Sequence, residues 1–96
     1  MGSMKEVQDA IRAECNAVKG LLLAKNREYG NSALEPIHVF STLDAEAQID
    51  VRIDDKLKRL QTIKTMDATT IHEDTEMDLI GYLLLKRVAR RVKGTK

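Results

Sequence analysis

Aromatic side chains are scarce in this chain: Tyr29, Phe40 and Tyr82 are all there are, and tryptophan is absent. Proteins that stack bases on aromatic platforms need more, so the composition disfavours a nucleic-acid reader. Cys15 is the only cysteine, which excludes an internal disulfide framework and suits a reducing compartment. With two histidines beside that one cysteine, a structural zinc site has too few ligands. No apolar run approaches the length needed to cross a membrane. No secretory leader is visible, and a cytosolic location is the simplest expectation. Charge of one sign is missing too: the net charge is +1, so no global field draws in DNA or an acidic membrane.

What the chain has in quantity is helix-forming sequence. Of its 96 residues, 43% are apolar and 32% charged, a composition that suits one small all-α domain. Residues 1–3 read as a cloning remnant, and the domain is expected over residues 4–94. The spacing predicts three long helices. The first spans about residues 5–28, with Val7, Ile11, Cys15, Val18 and Leu22 on its core face and Cys15 a buried thiol. Gly30 sits where a left-handed terminator belongs. The second spans about residues 45–64, with Asp44 as N-cap and Ile49, Ile53, Leu57 and Leu60 as its stripe. The third is expected to begin at the Thr70–Glu73 capping box and to run to about Lys93, where Gly94 ends it. Between the first two, Pro36 suits the first position of a short helix that would carry Ile37, Val39 and Phe40. No strand pattern or internal repeat is present. The fold class is a small helical bundle.

The third helix contains an anomaly. Tyr82, Leu85, Ala89 and Val92 form one stripe, Met77, Leu84 and Val88 extend it on one side, and the stripe runs backward through Asp78 and Asp74. Unpaired carboxylates on a core face are costly, so a basic side chain or a metal ion should meet them. The second helix offers Arg52, Lys56 and Arg59 along one flank of its stripe, with Asp50 and Asp54 along the other. That basic row can reach a phosphate or neutralise Asp74 and Asp78. It can equally be a solvated face in which Asp54 pairs with Lys58 and Asp55 with Arg59.

The segment "KNREYGNS" raises a similar choice. Gly30 frees backbone N–H groups toward an anion, and Asn31 and Ser32 add donors. Lys25 adds charge, and Tyr29 offers a face for a base. Taken alone, the same residues describe a glycine-capped helix end with Tyr29 packed on the core. The spacing is not that of a Walker loop. The middle of the third helix, "LIGYLLL", is apolar nearly all round, more than one small core can cover, which points to a homo-oligomer. His38 and His72 read as ordinary polar residues, and the basic C-terminal run as a solvated helix end.

In order, "LLLAKNREYGNSAL", "RIDDKLKRL" and "EDTEMDLIGYLLL" resemble successive motifs of the phage and prophage nucleotide modification associated domain family, first type. The likeness covers roughly residues 21–90. Its marks are a Lys-Asn-x-x-Tyr-Gly segment, an Arg-Ile-x-x-Lys-Leu-x-Arg segment and a closing Asp-Leu-x-x-Tyr helix. That family is similar to MazG-like nucleoside triphosphate pyrophosphohydrolases, oligomeric helical enzymes that hold magnesium with acids on two helices. The resemblance implies that Arg52, Lys56 and Arg59 face phosphates. It also implies that Lys25, Asn26, Tyr29 and Asn31 shape the nucleotide end, and that Asp74 and Asp78 lie on the metal-side helix. The chain departs from the enzymes where it counts. Asp50, Asp54 and Asp55 have the wrong spacing for the Glu-Glu-x-x-Glu cluster, and Thr75 stands where the enzymes have glutamate.

Three functions follow as expectations. The first is a phage-type protein that holds a phosphorylated nucleotide, such as a modified or immune-signalling one, by sequestration near an oligomer interface. Its ligand set would be Lys25, Asn26, Tyr29, Gly30, Asn31, Ser32, Arg52, Lys56, Arg59, Asp78 and Tyr82. The second is a magnesium-dependent pyrophosphohydrolase with Asp74 and Asp78 as metal ligands, assisted by Glu73, Asp50 or Asp54. The third is a helical adaptor with no small ligand.

Overall fold

A computed structural model describes residues 2–36, 38, 42–65 and 74–93. Among the described residues the structure is all-helical and has no strand. Helix α1 spans Met4–Tyr29, α2 spans Ala45–Thr65 and α3 spans Thr75–Lys93. The chain divides into two compact units, Met1–Gly30 and Asn31–Lys96.

The first unit is α1. Ser3, expected to be a remnant, caps it: the Glu6 N–H donates to Ser3 Oγ at 3.2 Å. At the other end Gly30 has φ +65° and ψ −149°. The positive φ expected of a helix-terminating glycine is present. Its ψ, however, lies in an extended region that only glycine occupies comfortably, not in the left-handed helical one. The Asn26 side-chain amide closes this end by donating to the Gly30 carbonyl at 3.1 Å. Of the apolar stripe expected on α1, Val18 is buried. Val7 and Ile11 are exposed, and so is Cys15, which corrects the expectation of a buried thiol. Periodic apolar spacing marks a helix but does not supply a surface that covers every member of the stripe.

The second unit is built on α2 and α3. Asp44 is the N-cap expected for α2; its Oδ1 accepts from the Ala47 N–H at 2.9 Å. Asp74 does the same for α3, with its Oδ1 accepting from the Met77 N–H at 2.9 Å. The third helix therefore starts at Thr75, later than expected, and the Thr70–Glu73 capping box lies outside the described residues. A carboxylate reached the N-terminal N–H groups and fixed the start. The short helix expected after Pro36 falls largely outside the described residues; Pro36 and His38 themselves are not helical. Asn31 begins a turn in which its carbonyl accepts from the N–H groups of Leu34 and Glu35, at 2.9 and 2.8 Å.

Ile49 is the deepest side chain of the unit, 1% exposed. Ile53, Leu60 and Ile63 are half-buried on the same stripe. Leu57 is 46% exposed, which corrects its place among the core residues. Helix geometry explains this: Leu57 lies about 80° around the axis from Ile49, whereas Lys56 lies within about 20°. On α3, Leu79, Leu85 and Ala89 are half-buried. Ile49→Ala should lower the unfolding free energy by about 2–4 kcal/mol in urea titrations. Val51→Ala, at a site 58% exposed, should change it by less than about 0.5 kcal/mol.

Candidate functional site

Lys56 occupies a core position of α2 and Asp78 a core position of α3. On α2, Ile49, Ile53, Lys56, Leu60 and Ile63 follow one another in alternating steps of four and three. On α3, Thr75, Asp78, Tyr82, Leu85, Ala89 and Val92 do the same in steps of three and four. Such a pattern gives each helix one seam. Where the seams meet, the Lys56 Nζ lies 3.2 Å from the Asp78 carboxylate. The two side chains are 11% and 23% exposed. Lys56 thus sits in the core, not on the flank its polarity suggested. The basic side chain that Asp78 required is this lysine. Removing both charges from water costs several kcal/mol each, which their attraction offsets only in good geometry.

Further ion pairs run along the same two helices. Asp50 meets Lys86 at 2.6 Å, and Glu46 meets Arg90 at 2.6 Å. The Arg52 guanidinium lies 5.9 Å from the centre of the Tyr82 ring, within cation–π range. As the positions rise on α2, from Glu46 through Asp50 and Arg52 to Lys56, their partners descend on α3. This order describes an antiparallel hairpin. The outer pairs are partly solvated, and each contributes at most about 1 kcal/mol. They also record the register of the two helices, each of these α2 acids meeting an α3 base.

Thr75 lies on the same face as Asp78 and Tyr82, and it is only 3% exposed. Its Oγ1 is buried without a hydrogen-bond partner. An orphaned buried hydroxyl costs about 1–3 kcal/mol unless a water or ligand satisfies it. The end of the hairpin that carries Lys56 and Asp78 therefore also carries an unmet polar group.

The structure distributes the other expected site residues unevenly. Arg52, Lys56, Asp78 and Tyr82 come together in one seam. Arg59 pairs with Asp55 on its own helix at 3.2 Å, both half-exposed, as a solvated face would have it. Asp74 is exposed and serves as the N-cap, one turn before Asp78, whose N–H donates to its carbonyl at 3.1 Å. Lys25, Asn26, Tyr29 and Gly30 belong to the first unit, and Asn31 and Ser32 to the second; the boundary falls inside "KNREYGNS". Tyr29 is 64% exposed. Glu46 was not singled out from the sequence, Lys86 and Arg90 were read only as part of a solvated helix end, and Thr75 only as the residue standing in place of the enzymes' glutamate. The antiparallel order of acids on α2 and bases on α3 was the signal that could have found three of them.

Magnesium would need several oxygen ligands held together. Among the described residues no three His, Cys, Asp or Glu side chains gather as such a group. Asp74 is occupied as a cap, and Asp78 and Asp50 are each neutralised by a lysine. The described acids do not form a magnesium cage, and Glu73 lies outside the described residues.

The chain matches no protein-family model, no curated protein and no solved structure.

Lys56→Met should destabilise the protein by about 2 kcal/mol, because it strands the Asp78 carboxylate, though Asp78 is not wholly buried. Adding Asp78→Leu should recover stability to within about 1 kcal/mol of the wild type. Thr75→Val removes the orphaned hydroxyl and should raise the urea midpoint by the equivalent of about 1 kcal/mol.

Proposed function

We propose that this chain is a nucleotide-binding protein that holds a phosphorylated nucleotide against the α2–α3 seam and works as a homo-oligomer. One observation carries the reading. Among the described residues, a buried lysine, a guanidinium over an aromatic ring and a buried threonine hydroxyl without a hydrogen-bond partner occur on the paired helices α2 and α3. A buried ion pair adds little stability over an apolar pair of the same size, so a seam built this way suits a task other than folding.

The chemistry matches a phosphate ester. The Arg52 guanidinium presents planar paired donors that suit phosphate oxygens, and Tyr82 gives it an anchored position. Arg59 adds a second cation on the same helix. The Thr75 hydroxyl offers one donor and two acceptor sites to a ligand or its bound water. The resemblance to the phage nucleotide modification associated family and to MazG-like proteins supports the same ligand class. In that setting the protein belongs in the cytosol of a phage-carrying bacterium, where it sequesters a modified or signalling nucleotide. Binding is preferred to pyrophosphohydrolysis because Asp50, Asp74 and Asp78 already have partners, and a metal would have to displace them.

The test is incubation with a nucleotide panel and magnesium, followed by mass spectrometry of the solution and of the denatured protein. One intact nucleotide, released only on denaturation, is the expected result. Release of monophosphate and pyrophosphate would establish the hydrolase reading instead. Arg52→Ala should weaken retention at least about tenfold, the loss of one charge-assisted contact, with the far-ultraviolet circular dichroism unchanged.

A further inference from the structure

The face of α3 turned away from α2 carries Ile80, Leu83, Leu84 and Val88, which are 47%, 48%, 40% and 38% exposed. They are a cluster, since steps of three and four bring them together on one side of the helix. Arg87 and Arg91 lie on the same side, and Glu76 lies there one turn before Ile80. No ion pair among the described residues engages Glu76, Arg87 or Arg91. The helix thus presents an acidic start, an apolar middle and a basic end on one outward face.

We propose that this face is the contact between two copies of the chain, with their α3 helices packed antiparallel about a two-fold axis that passes between Leu83 and Leu84. The charge pattern selects this occupant. Glu76 stands seven residues before Leu83, and Arg91 stands seven after Leu84. Antiparallel pairing about that midpoint sets each Glu76 beside Arg91 of the second copy, twice over. Leu83 and Leu84 meet across the axis, and each Ile80 lies along the stem of Arg87 of the second copy. A parallel pair would align arginine with arginine and acid with acid. The antiparallel pair also opposes the two helix dipoles. An isologous contact needs one patch that complements itself, and this patch does. The contact specifies the homo-oligomer of the proposed function but does not depend on a nucleotide.

Sedimentation equilibrium of the full chain without nucleotide tests it. The wild type should be a dimer at micromolar concentration. Leu84→Asp should be a monomer with unchanged helicity, because Leu84 is exposed in the single chain. Glu76→Arg and Arg91→Glu should each weaken the dimer at least tenfold, and the double variant should restore it. These two exposed sites keep the test valid if Leu84→Asp unfolds. A monomeric wild type would overturn the proposal. So would a dimer that survives Leu84→Asp and is lost in Ile11→Asp, which would place the contact on α1, and so would charge variants whose effects simply add.

Discussion

The salt bridge between Lys56 and Asp78 is the constraint on which the hairpin turns. Each residue takes a seam position that an apolar side chain would fill at less cost. Once both are there, neither can leave without stranding the other. The partnership therefore admits one register of α2 against α3. Asp50 with Lys86, Glu46 with Arg90 and Arg52 with Tyr82 follow from that register and reinforce it. A polar pair at a helix–helix seam is best understood as a device for specificity. The unsatisfied Thr75 hydroxyl shows that the polar character of this end exceeds what the hairpin consumes.

Helix α3 carries a second burden. The inner face of α3 is committed to α2, while its outer face keeps a run of large apolar side chains in the open. Exposed apolar clusters of this kind mark association. The charges around this one are ordered so that the face complements itself. A chain of 96 residues buries a modest share of its surface alone, and the proposed association would add to it. Ligand binding on one side of α3 and self-association on the other would then be separate properties of one helix.

Much of this was legible beforehand, for identifiable reasons. The helices were readable because their apolar spacing is regular and because Asp44 and Gly30 are strong local signals. Asp78 was readable as a group in need of a cation because it interrupts an apolar stripe. The position of Lys56 was not, since a lysine in a charge-rich helix looks like part of a solvated flank; only the partner helix makes it a core residue. The start of α3 was placed too early because Thr70 and Glu73 have capping-box spacing, whereas the cap in the structure is Asp74, read from the sequence only as a core-face acid. Cys15 and Leu57 were placed in the core on the assumption that every stripe finds cover. Tertiary packing grants that to Ile49 and withholds it from Leu57. The three segments that resemble the nucleotide-associated family were legible as motifs, yet the unit boundary after Gly30 divides the first of them.

The central claim is that the buried charges of the seam, beyond fixing the register of the hairpin, serve the proposed ligand recognition. The direct test is nucleotide retention by the Lys56→Met, Asp78→Leu double variant, measured with its circular dichroism. The account predicts a helical protein that has lost the nucleotide the wild type carries. Retention at the wild-type level by the double variant would contradict it, and would reduce the pair to a register device.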